Sequence, residues 1–168
     1  MSGEQPKNPP IGELLRGALA GVGLEDTPEN RQRYEAITEQ IETQFNELRE
    51  NATESDVLRV LDAAPPYIRD LTLSAKPLEK VVGQRADILY RLLRDSRFSA
   101  FEASWSTISA VTAALSYLLS ESDVVPDALP VVGMFDDLLV VLLCSVLIRA
   151  DLQRWAEAKQ INLRDLGM

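Results

Sequence analysis

Ser120 to Asp137 reads SESDVVPDALPVVGMFDD, and the fold turns on how this stretch is read. It carries five acids, two prolines and one glycine between two of the most apolar segments of the chain. As backbone chemistry, each special residue has a use. Asp123 can cap a short helical turn over 124–128, and Pro126 is tolerated there because the first amides of a helix have no internal partner. Pro130 forces the residue before it out of the helical region, so that turn stops. Gly133 allows a close approach or an unusual dihedral. Asp136 and Asp137 then fall at the start of the next helix, where the dipole favours negative charge. Asp123, Pro126, Asp127, Pro130 and Gly133 thus define a structural turn, and the flanks become a helical hairpin.

The flanks agree. No Lys or Arg occurs between Arg97 and Arg149, a run containing six acids. FSAFEASWSTISAVTAALSYLLS (98–120) reads as one helix, with Phe98, Phe101, Trp105, Ile108 and Leu115 on a face. Its remaining positions are mostly Ser, Thr and Ala, which let neighbouring backbones come close. LLVVLLCSVLIRADLQRWAEAK (138–159) reads as a second helix, buried all round at first and amphipathic later.

At these residues the chain resembles a known family. Tyr117, Ser120, Asp123, Pro126, Asp127, Pro130, Gly133, Asp136 and Asp137 are similar to the signature of the YkvA-like bacterial domain of unknown function, over about 98–149. One departure is Glu121, where that family usually has proline. The resemblance implies an all-helical hairpin in small bacterial proteins with a suggested membrane association, and it implies no established reaction.

Upstream, Ile11, Leu14, Leu15, Ala18, Leu19 and Val22 recur at helical spacing until Gly21 and Gly23. Thr27, Pro28 and Glu29 start a Glu-rich helix over 28–50, with Ile41, Phe45 and Leu48 in its apolar stripe. Thr53 with Asp56 three positions on resembles a capping box, and Pro65-Pro66 is expected to break that helix. Leu78, Val81, Val82, Ala86, Leu89, Leu92 and Leu93 mark a further helix, with Arg85, Arg91 and Arg94 as its solvated face or, alternatively, a phosphate or lipid contact. The expected organisation is an all-α bundle of about five or six helices. A disordered tail (1–10) precedes an N-terminal helical layer (11–95), the YkvA-like hairpin (96–158) and a C-terminal tail (159–168).

Composition narrows the function. The chain has 168 residues and a net charge of −9, from 26 acids against 17 bases. Phosphate backbones are bound by Lys and Arg, so nucleic acid is not an expected partner. There is no histidine, which removes Ser-His-Asp and Cys-His catalysis and His-ligated zinc. The single cysteine, Cys144, sits in an apolar run and reads as a small buried hydrophobe. The N-terminus lacks the basic start and apolar core of a signal peptide.

Asp123, Asp127, Asp136 and Asp137 offer only oxygen ligands, which would suit Mg²⁺, Mn²⁺ or Ca²⁺. A membrane span needs about 20 apolar residues. Leu138 to Ile148 is too short, and extending it buries Asp136 and Asp137 or Arg149.

The expectation is a non-enzymatic bacterial binding or scaffold protein in the cytoplasm, with peripheral contact at the inner membrane as an added role. It would act through its acidic turn and its Glu-rich helix, without a cofactor. Its expected partner is a basic protein, with self-association also open. The alternatives are a metal-dependent hydrolase using the acidic turn and an acidic inhibitor or immunity-like protein.

Overall fold

The computed structural model describes residues 28–98, 100–120 and 135–166. These form six α-helices: α1 (Pro28–Glu50), α2 (Glu54–Thr72), α3 (Pro77–Arg97), α4 (Trp105–Leu119), α5 (Phe135–Leu147) and α6 (Arg149–Lys159). A single 3₁₀ turn, Leu163–Leu166, follows. The described residues contain no strand, so the all-α class holds. The expected helix near 11–20 and the tail 1–10 lie outside the described residues.

α5 is the centre. Every residue from Asp136 to Cys144 is buried. A helix with no polar face must be surrounded, and α5 packs against α1, α3 and α4 and leads into α6. α4 is its antiparallel partner and also touches α1, α2 and α3. The small residues on α4 serve this crowding. Ala110, Ala113 and Ala114 are buried, as are Ser109 and Thr112. The two hydroxyls return to their own helix, Ser109 Oγ donating to the Ser106 carbonyl at 3.2 Å and Thr112 Oγ1 to that of Ile108 at 2.7 Å. Back-bonding of this kind lets a polar side chain sit in a core without an unmet donor.

α1 contributes Ile41 and Phe45 to the core, and Trp155 of α6 closes it from the other end. Cys144 is fully buried, and desolvation pushes its thiol pKa well up.

α2 starts as its sequence predicts. Thr53 Oγ1 accepts from the Asp56 amide at 3.3 Å, and the Asp56 carboxylate accepts from the Thr53 amide at 2.9 Å. The Thr53 amide, and then the Thr53 hydroxyl, which also donates to Asp56 Oδ2 at 2.9 Å, hold the Asp56 carboxyl below its usual range. α2 does not break at Pro65-Pro66, however, and runs on to Thr72. A proline at 65 cannot donate to the carbonyl of Leu61, four residues back. Tyr90 of α3 supplies the missing donor, its hydroxyl bonding to the Leu61 carbonyl at 2.9 Å. Both prolines are exposed, so their rings meet solvent. Tyr67, Ile68 and Leu71, beyond the expected break, are therefore helical.

Two other elements differ from expectation. The helix expected over 98–120 begins only at Trp105, because Ser104 caps it. Phe98 and Trp105 are then 72% and 47% exposed. The helix expected over 138–159 is bent at Ile148, although Ile148 and Leu152 keep their i to i−4 bonds at 3.0 and 2.8 Å. Of the arginines assigned to solvent, Arg91 and Arg94 are exposed but Arg85 is half-buried.

Among the described residues no helix is long and apolar enough to cross a membrane. α5 has 13 residues. At 1.5 Å per residue that is about 20 Å, against a hydrocarbon core of about 30 Å.

Candidate functional site

Two signature residues meet across the α4–α5 hairpin. Tyr117 lies in the last turn of α4, and Asp136 is the second residue of α5. The Tyr117 hydroxyl donates to Asp136 Oδ2 at 3.1 Å, with the phenol 3% and the aspartate 0% exposed. Asp137 beside it is 4% exposed. Both acids have further interactions, so neither is a lone buried charge. Their place in the first turn of α5 agrees with the expected pairing of acids with a helix N-terminus. Their complete burial was not expected: the packing of α1, α3 and α4 around α5 takes them out of solvent.

Asp123, Pro126, Asp127, Pro130 and Gly133 lie outside the described residues. Of the four acids read as metal ligands, the structure places only Asp136 and Asp137. Among the described residues no group of three or more His, Cys, Asp or Glu is arranged to hold a metal ion.

Next to Tyr117 opens a polar cleft of about 510 Å³, walled by the C-terminal half of α1, the start of α2 and the end of α4. Tyr117 and Ser120 line it from the signature side, and Gln44 and Glu47 line it from the Glu-rich helix. Arg59 bridges α2 to α4, donating to Asp56 Oδ1 at 3.4 Å and to Ser116 Oγ at 3.3 Å. Its charge is thereby engaged by groups already present. The Gln44 Oε1 oxygen is buried and accepts no hydrogen bond among the described residues. The Asp56 carboxylate is already engaged by Thr53 and Arg59, so the open acceptors of the wall are Gln44 Oε1 and the exposed Glu47 carboxylate.

Sequence reasoning singled out Tyr117 and Ser120 within the signature and α1 as an acidic surface, but not that the two converge. Gln44, Arg59 and Ser116 carry no local signal: each gains meaning only from a residue on another helix.

Comparison with protein families falls on this same hairpin. Residues 107–143 match the family described as "Protein of unknown function (DUF1232)". The YkvA-like resemblance is consistent with DUF1232, and the match takes in Tyr117, Ser120, Asp136 and Asp137. It covers a minority of the chain, from the first turn of α4 into α5. No curated protein and no solved structure matches the chain.

Proposed function

We propose that this chain is a non-enzymatic binding protein that takes a basic segment of a protein partner into the cleft between α1, α2 and the end of α4. The observation that carries the reading is the pair of open acceptors that α1 presents there. Gln44 Oε1 and Glu47 face a space whose one cation among the described residues, Arg59, is already engaged by Asp56 and Ser116. A lysine or arginine side chain would supply the donors this wall lacks, and charge-assisted bonds of this type are the stronger ones. The net charge of −9 adds long-range attraction for a basic partner. The hydrolase alternative draws no comparable support, because Asp136 and Asp137 are shut off from solvent. We place the protein in the cytoplasm, where a lone, buried thiol needs no oxidative partner.

The test is affinity capture from bacterial extract with wild type and Glu47→Lys, quantified by mass spectrometry at low and moderate salt. Glu47 is exposed, so the substitution should leave the fold intact. The expected result is a discrete basic protein held by wild type, released by salt and lost in the variant. Identical captures by both proteins would overturn the reading.

A further inference from the structure

At the other end of α5 lies a second cleft, of about 590 Å³, formed by α3, the end of α5, α6 and residues 161–164. Its composition inverts that of the chain. Among the described residues Arg85, Arg149 and Arg164 line it against a single acid, Glu157, whereas the whole sequence has 26 acids to 17 bases. The three arginines come from three separate elements, so only the folded chain assembles them. Arg149 and Arg164 are exposed at the rim. Arg85 is half-buried, and desolvation lowers its pKa, as expected of a guanidinium partly withdrawn from water.

The floor is apolar. Leu142 and Leu152 are buried beneath it, and Val146, Ile161 and Leu163 remain partly open to it. Among the described residues no aromatic ring lines it, so they offer a nucleobase no stacking platform. Cationic forks over an aliphatic floor suit a ligand with an anionic head and a hydrocarbon tail, since guanidinium pairs bidentately with carboxylate and phosphate. The volume is within the usual range of small-molecule sites, about 300–1,000 Å³.

We propose that this cleft binds a single-chain anionic amphiphile, its carboxylate or phosphate head on the arginines and its acyl chain along Leu142, Val146 and Leu152. The site is separate from the polar cleft near Tyr117, and neither proposal depends on the other.

Titration calorimetry with sodium laurate below its micellar concentration tests it. The controls are monolaurin, octanoate, inorganic phosphate and phosphatidylglycerol vesicles. Saturable one-to-one binding of laurate is expected, at least tenfold tighter than monolaurin and tighter than octanoate. Inorganic phosphate alone should give no saturable heat. The double variant Arg149→Gln/Arg164→Gln should weaken laurate at least tenfold with an unchanged circular dichroism spectrum. Equal affinity for laurate and monolaurin would overturn the proposal, as would no loss in the folded double variant. Binding to vesicles alone would overturn it in favour of a membrane surface. If the double variant fails to fold, the headgroup and chain-length comparisons on wild type still decide.

Discussion

Gly83 shows how closely α2 and α3 are fitted. It is buried on α3, and a Cβ placed there would lie 2.7 Å from the Thr72 amide nitrogen and 2.9 Å from the Leu71 carbonyl carbon. Two of those nearest atoms are backbone, which cannot rotate aside. Gly83→Ala gains about 1 kcal/mol in helix propensity. It must also push the two helices apart, and overpacking of this kind costs about 1–3 kcal/mol. The expected outcome is net destabilisation by up to about 2 kcal/mol, read as a lower urea midpoint. A midpoint equal to or above wild type would mean that the approach is looser than described.

The same scale explains what a local reading could and could not see. The Thr53–Asp56 box is contained in four residues, and it was legible. The repair of the Pro65 gap depends on Tyr90, which is distant in sequence, so the prolines read as a break. Tyr117 and Asp136 stand out in the signature, yet nothing in their spacing says that they bond to each other. Phe98 and Trp105 share one apolar face with Ile108 and Leu115 by helical spacing. That character does not distinguish inside from outside until the helix start is known, and Ser104 is only one of several hydroxyl residues there able to cap.

At the scale of elements, the start of α4 is held by α6. Asp151 Oδ2 accepts from the Ser104 amide at 3.2 Å and from Thr107 Oγ1 at 2.6 Å, and Arg154 reaches the Glu102 carbonyl at 3.3 Å while its guanidinium lies 5.1 Å from the Phe101 ring centre. Asp95 works in parallel: its carboxylate accepts from Trp155 Nε1 at 2.8 Å and pairs with Lys159 at 3.2 Å. Desolvation alone would raise both carboxyls. For Asp95 the Trp155 and Lys159 bonds outweigh it, and the net direction is down. For Asp151 the bonds from Thr107, Arg154 and Ser104 outweigh it further and hold the group at about 2.

An unfolded aspartate titrates near 3.9. The folded state therefore binds this proton less readily than the unfolded state. The stabilisation is fully present above about pH 5 and is lost as pH falls toward 2. It is roughly 1–2 kcal/mol after allowance for solvent screening. Asp151→Asn should lower stability by that amount at pH 7, and the gap to wild type should narrow on acidification. Denaturant melts at a series of pH values check this. A gap independent of pH would remove the charge from the account.

At the scale of the whole molecule, the family match and the folding unit have different limits. The match ends at residue 143. The bonds that fix the start of α4 come from Asp151 and Arg154, and the apolar surface of α5 is covered by α1 and α3. A fragment of residues 98–149 thus lacks both the pin and the cover. Expressed alone, it should show weak helical circular dichroism and no cooperative melt, whereas residues 28–166 should melt cooperatively. A fragment that melts as sharply as the longer chain would show that the hairpin is autonomous.

Cys144, fully buried at the middle of this arrangement, acquires a use from its position. A thiol held protonated and walled off by α5's neighbours reacts with an alkylating reagent only when the wall opens. Since the sequence holds one cysteine, every labelled molecule has passed through that opening. The labelling rate, followed by intact mass, is therefore a clock for core breathing that needs no introduced probe. It would count how often the central helix meets water under native conditions.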